Sequence, residues 1–254
     1  LNRFQFNEAA KAIYEFTWSD YCDWYIEIAK THFSNDDKSS ADAARAVTVH
    51  VLRKIILLLH PYAPFVTEEI WSQIKNNNDE DAIISVWPIV DEDWINETVD
   101  PQMELLKGVI SSVRTIRAQM NVPPGKYANM IVHCNPKQKL ILNSFSTIIC
   151  SLAKIEKITS SEGGHKPPNS ATSVVDGMEI FIPLEGLIDF DLERNRLQKR
   201  IDEIESHLKV VKQKLRNKDF LERAPENVVK SEKEKRAEMS EELNKMLSNL
   251  EMIQ

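Results

Sequence analysis

The sequence predicts a mainly α protein: a helical bundle, then a small α/β subdomain, then an antiparallel two-helix coiled coil. Three observations carry this. Glycine and proline are scarce, six and eleven in 254 residues, which disfavours a turn-rich all-β fold. Apolar residues recur at helical spacing through the first ninety residues. The last 66 residues hold two heptad seams separated by a breaker. The predicted boundaries are 1–98 for the bundle, 99–188 for the α/β subdomain and 189–254 for the coiled coil.

In the bundle, Phe6, Ala9, Ala10, Ile13 and Phe16 are followed by Tyr21, Trp24, Tyr25 and Ile28. Ser19-Asp20 would cap a second helix and put a bend between the two. Asn35 to Ser40 is polar and reads as a loop, with Ser39 or Ser40 capping a helix over 41–59 whose inner face is Val47, Val51, Ile55 and Leu58. His60-Pro61 ends it. Pro64 and Thr67-Glu68-Glu69 begin a shorter helix to about Lys75, with acids suitably placed in its first turn.

Asp100-Pro101 is an N-cap followed by proline at the first helical position, so a helix runs to about Met120. Tyr127 to His133 is strand-like, Asn135-Pro136 opens a helix to about Phe145, and Ile155 to Ile158 reads as a short strand. Residues 160–173 read as a loop. Thr172–Val175 and Met178–Pro183 flank Asp176-Gly177, a strong hairpin signal.

Leu197, Ile201, Ile204, Leu208, Val211 and Leu215 form the first heptad seam; Met239, Leu243, Met246 and Leu250 form the second, with Glu232 and Arg236 at seam positions toward the turn. Two such helices about ten residues apart fold back on each other. Each arm of about 28 residues extends roughly 40 Å.

Composition limits the function. Net charge is −7, which argues against nucleic-acid binding over the whole surface but not against local basic patches. Residues 189–254 hold fifteen basic and fifteen acidic side chains, whereas 209–236 hold ten basic and five acidic. Lys209, Lys212 and Arg216 share one helix face, with Lys214 and Lys218 nearby, a pattern suited to phosphates as well as to an ordinary solvated surface. Aromatic rings at Phe16, Trp18, Tyr21, Trp24 and Tyr25 read mostly as core, with Trp18 off the main apolar face and able to stack on an unpaired base. Cys22, Cys134 and Cys150 read as unpaired thiols. No metal site, Gly-rich phosphate loop or paired nucleophile and base is predicted, His60 and His133 suit structural roles, and no apolar run is long enough to cross a bilayer. The chain opens at Leu1 in a helical pattern and reads as a piece of a longer polypeptide.

Specific strings add a resemblance. Arg3-Phe4-Gln5-Phe6-Asn7-Glu8-Ala9-Ala10, with Tyr14-Glu15-Phe16 and Cys22-Asp23-Trp24-Tyr25-Ile26-Glu27, is similar to the start of the anticodon-binding domain of valyl-tRNA synthetases. Leu59-His60-Pro61-Tyr62-Ala63-Pro64-Phe65-Val66-Thr67-Glu68-Glu69-Ile70-Trp71 resembles a signature of the valyl, isoleucyl and leucyl enzymes. Ile116 to Pro124, and Asn217 to Pro225 followed by Val228-Val229, resemble the valyl enzymes, the latter at the turn of their bacterial coiled coil. The isoleucyl relatives typically end in a cysteine-rich zinc module, which this sequence lacks. Their ATP-binding signatures, His-x-Gly-His and Lys-Met-Ser-Lys-Ser, and their editing domain do not occur here.

The resemblance implies a cytoplasmic, monomeric partner of valine-specific tRNA, inactive alone. ATP with Mg would serve as cofactor only in the full-length ligase. It implies anticodon contacts, for which the candidates are Arg3, Asn7, Lys11, Trp18 and Lys30. For the tRNA backbone the candidates are Arg114, Arg117, Lys209, Lys212, Lys214, Arg216 and Lys218. An isoleucyl or leucyl type, and a coiled-coil scaffold for another protein, stay open as alternatives.

Overall fold

The computed structural model describes residues 5–33, 37–217, 220 and 224–253. It divides into two compact units, 1–100 and 101–254.

In the first unit, α1 (Phe6–Glu15) continues without a break through a π-helical stretch, Phe16–Ile26, into α2 (Glu27–Phe33). The bend expected at Ser19-Asp20 does not form. Instead the helix widens, with Thr17 Oγ1 donating to the Ile13 carbonyl at 2.7 Å near the point of change. Spacings of four then align Tyr21, Tyr25 and Ala29, of which Tyr21 and Ala29 are buried. Phe6 and Phe16, counted by spacing with the apolar stripe, are exposed; α1 buries none of its residues, and the π-helical stretch buries Tyr21 instead of Phe16.

The next helix, α3 (Lys38–Leu59), starts three residues earlier than its serines suggest. Asp37 is the cap, its carboxylate accepting from the Ser39 amide at 3.0 Å, while the Ser40 hydroxyl lies 2.8 Å from His32 Nδ1. Its inner face is the expected one at Ile55, with Val51 and Leu58 half-buried, but not at Val47. Ala41, Ile55 and Ile56 are buried and Val47 is exposed, because the phenols of Tyr21 and Tyr25 donate to the Thr48 and Ala44 carbonyls and so select that side of α3.

Helix α4 (Pro64–Ile74) begins at proline as expected. Thr67 is buried behind it, donating to the Ala63 carbonyl and lying 2.8 Å from His60 Nδ1, which gives that histidine a structural role. Ile56, Trp71 and Ala82 form a core with Leu52, Leu57 and Ile74 against it. Arg53 lies over the Trp71 ring at 4.7 Å and pairs with Asp79, whose carboxyl it holds below the ordinary aspartate value. Two three-ten turns follow, Ala82–Ile84 and Glu92–Trp94.

The second unit is organised around α5 (Val99–Gln119), whose buried face includes Leu106, Val109, Ile110 and Val113. A four-stranded sheet has the order β2-β1-β4-β3, with β1 (Ala128–His133), β2 (Ile155–Ser161), β3 (Ser170–Val175) and β4 (Met178–Pro183). The β1–β2 pair is parallel and the other two pairs are antiparallel.

A parallel pair needs a crossover long enough to return the chain. Here it is two helices, α6 (Pro136–Ser144) and α7 (Ser146–Ala153), where the sequence suggested one. Phe145, at φ −100° and ψ 10°, breaks them apart. Asn135 and Gln138 form a reciprocal capping box at the start of α6. Strand β3 begins two residues before its predicted start, and the loop between β2 and β3 shrinks to 162–169. The hairpin turn forms as expected, with Asp176 and Gly177 both at positive φ, as a two-residue primed turn requires. At Gly108 of α5, a Cβ would stand 2.9 Å from Val175 Cγ1, so glycine permits the close approach of this helix to β3.

The coiled coil is α8 (Phe190–Arg216) and α9 (Glu226–Met252). The Asp189 carboxylate caps α8 by accepting from the amides of Asp191 and Leu192. Leu197, Ile201, Ile204, Leu208 and Val211 are buried, as the first seam predicts, while its sixth residue, Leu215, is half-buried. In α9, Met239, Leu243, Met246 and Leu250 are half-buried and Asn249 is buried, but Arg236 stands exposed rather than in the seam. No residue of 233–238 is buried, so a lysine- and arginine-rich stretch stays in water where its charges are solvated.

Candidate nucleic-acid interface

Two groups of sequence-predicted residues fall together, one in each unit. On the coiled coil, Lys209, Lys212 and Arg216 line a cleft of about 390 Å³ with Glu205, Leu208, Gln213 and Leu243. Their spacing along α8 puts the three cations on one face, and Leu243 closes the cleft from α9. None of the described residues accepts a hydrogen bond from these three side chains or pairs with them.

The root of the arm is different. Arg194 is tied to Asp191 and to the Ile253 carbonyl, and Arg196 to the buried Glu193. Arg200 bridges Glu242 and Glu203, which raise its guanidinium above the ordinary arginine value. These three arginines near the root are therefore neutralised within the arm, whereas Lys209, Lys212 and Arg216 are available to an external anion. Lys214 falls between these cases, pairing with Glu232 of α9 at 3.3 Å. Lys218 lies outside the described residues. Gln213 and Leu243 escape a reading based on charge; a polar residue one position after Lys212 and an apolar residue on the opposite seam gave no separate signal.

In the first unit, Asn7, Lys11 and Trp18 are exposed along α1 and the π-helical stretch, and Arg3 lies outside the described residues. Trp18, 59% exposed, stands 6.4 Å from the ring of Tyr14, one helical turn earlier and equally exposed. Tyr14 was not predicted as a site residue; its position four before Trp18 was the signal. Lys11 pairs with Glu15 at 3.7 Å and Lys30 with Glu27 at 2.5 Å, both on the helix surface where such pairs are weak and readily exchanged.

Arg114 and Arg117 part company despite lying one turn apart. Arg114 is exposed and donates to the Leu152 carbonyl at 3.1 Å. Arg117 is only 8% exposed, with its guanidinium donating to the carbonyls of Lys154, Pro123 and Lys126. Burial pushes its pKa below the ordinary arginine value. That guanidinium fastens the Pro123–Lys126 turn to the end of α7, which leaves it turned away from any ligand on the surface.

The chain matches two family models. One, described as the anticodon-binding domain of tRNA ligase, spans residues 1–132; the other, described as the valyl tRNA synthetase tRNA binding arm, spans 189–254. Among curated relatives, a valine–tRNA ligase of Listeria innocua is 37% identical over 99% of the chain. Those of Syntrophotalea carbinolica and Legionella pneumophila are 36% and 35% identical over 100% and 99% of it. The chain spans 28% of the length of each of these relatives.

Proposed function

This chain belongs to the family of anticodon-binding domains of tRNA ligases, and on that premise we propose that it is the tRNA-gripping part of a valine–tRNA ligase. The observation that carries the reading is the set of uncompensated cations Lys209, Lys212 and Arg216 within the span that matches a tRNA-binding arm. Phosphates brought to that cleft would displace counterions and add salt-sensitive affinity.

In this reading, residues 1–98 meet the anticodon stem and loop. Asn7 and Lys11 would hydrogen-bond there, Trp18 would stack on an unpaired base, and Arg3 and Lys30 would add charge. Residues 189–254 brace the tRNA corner where the D and T loops meet, and residues 99–188 connect the two, with Arg114 at the tRNA backbone. Binding over so wide a footprint orients the acceptor end in a distant active site, so the chain contributes positioning rather than bond-making. In the full-length ligase, ATP with Mg drives attachment of valine to its tRNA. That ligase is cytoplasmic and monomeric in this proposal.

The test is titration of the chain with a valine tRNA transcript at two salt concentrations, beside a K209A/K212A/R216A variant. The variant is expected to bind more weakly, with a salt slope shallower by about 2 to 3 if each cation meets one phosphate. An unchanged slope would remove the arm from the interface, and no binding at low salt would remove the tRNA reading of this chain.

A further inference from the structure

A stretch of the first unit combines two properties that do not suit RNA. From Asn76 to Asp100, where the first unit ends, the sequence has eight acidic residues and no basic one. Over the same stretch large apolar side chains face water: Ile89 is 82% exposed, Val90 77% and Trp94 64%, and Ile83, Val86 and Ile95 are exposed with them. Contiguous exposed apolar groups rimmed by polar ones mark an interaction surface.

Of these, Ile89, Val90 and Trp94 line a cleft of about 710 Å³ between this stretch and α3, with His50, Lys54 and Leu58 on the α3 side. The His50 ring lies 5.1 Å from that of Trp94. The cleft is thus shaped by packing, with an apolar wall that stays uncovered.

We propose that this cleft is a docking face for another part of the ligase polypeptide, one presenting apolar side chains rimmed by lysine or arginine. The proposal rests on the ligase reading above. Charge selects the occupant: the carboxylates of Asp91, Glu92, Asp93 and Glu97 repel a phosphate backbone and attract a basic protein rim. A second copy of the chain is disfavoured by the same charges, since a two-fold interface sets identical patches against each other. The relatives supply the candidate, because most of their length lies outside the part this chain spans.

Hydroxyl-radical footprinting read by mass spectrometry tests this, on the 254-residue chain and on the full-length polypeptide that contains it, with a reporter peptide fixing the dose. Oxidation of Trp94 and Ile89 is expected to fall about fivefold or more in the full-length polypeptide, as for side chains entering the core of an interface. Equal oxidation in a full-length polypeptide that charges tRNA with valine overturns the docking face and leaves the ligase reading intact. A polypeptide that does not charge tRNA overturns the ligase reading itself. Protection of the isolated chain that grows with its concentration, or that appears only on adding tRNA, overturns the proposal in favour of self-association or RNA. As a second measurement, I89E/V90E is expected to leave the chain's melting temperature within about 2 °C, as exposed substitutions do, and to lower that of the full-length polypeptide. An unlowered full-length melting temperature also overturns it.

Discussion

Tyr21 shows how one side chain can fix a helix interface. Its ring is buried, its hydroxyl donates to the Thr48 carbonyl at 2.9 Å, and it stacks on Tyr25 with centroids 6.0 Å apart. Burial, assisted by the neighbouring Cys22 and Tyr25, pushes its pKa from 10.0 to about 12. The folded state therefore holds the phenol's proton more tightly than the unfolded state does. The associated stability is complete below pH 10 and is lost as the pH rises toward 12. Replacing Tyr21 with Phe is expected to flatten the stability of the first unit over that interval, followed by chemical denaturation at a series of pH values; the same decline in both proteins would refute the assignment. Arg117 carries a related lesson. Its position beside Arg114 suggested the surface, yet its fork reaches three carbonyls that only the tertiary fold brings together. Helical spacing distinguishes the faces of a helix but does not reveal which face a later turn will cover.

At the scale of elements, the sequence was most legible where local signals agreed. The Asp176-Gly177 turn, the Asn135 cap and the buried seam of α8 follow directly from residue chemistry. It was least legible where a partner decides. Val47 and Ala44 are both apolar enough for a core, and the phenols of Tyr21 and Tyr25 select between their faces. The π-helical stretch and the split of the crossover into α6 and α7 likewise leave little trace in a hydrophobic pattern. Within the coiled coil, Glu232 occupies the seam position predicted for it, pairs with the exposed Lys214, and keeps its second carboxylate oxygen buried without a hydrogen-bond partner among the described residues. A buried charged oxygen left without a bond is costly, while an exposed ion pair contributes little. Glu232→Leu is expected to stabilise the arm by about 1 kcal/mol, seen as a higher unfolding midpoint in urea. A lower midpoint would show that the Lys214 pair outweighs the desolvated oxygen.

For the molecule as a whole, net charge alone misleads. A chain at −7 can still hold a polyanion where cations are concentrated and unpaired, and Lys209, Lys212 and Arg216 outnumber the single acid of their cleft, Glu205, and pair with none of the described residues, while Arg196 and Arg200 are paired. Both matched families concern tRNA binding, so the chain by itself is expected to give no valine-dependent exchange of pyrophosphate into ATP. Signal above background in that assay would place catalytic chemistry in these residues. The choice of anticodon-contact candidates rested on resemblance, because Asn7 and Lys11 have no local feature that distinguishes them from ordinary surface. Finally, the widened turns of Phe16–Ile26 bear on how the chain is compared with its relatives. A π-helical turn accommodates about one residue more than an α-helical turn. Tightening those turns to α-helical ones with no residue removed would rotate everything downstream, by about 100° for each excess residue. Tyr21 and Tyr25 would then swing away from the carbonyls they now reach. A relative with an uninterrupted α-helix at this place should therefore align with a gap, and a gapless alignment would pair residues that face different directions.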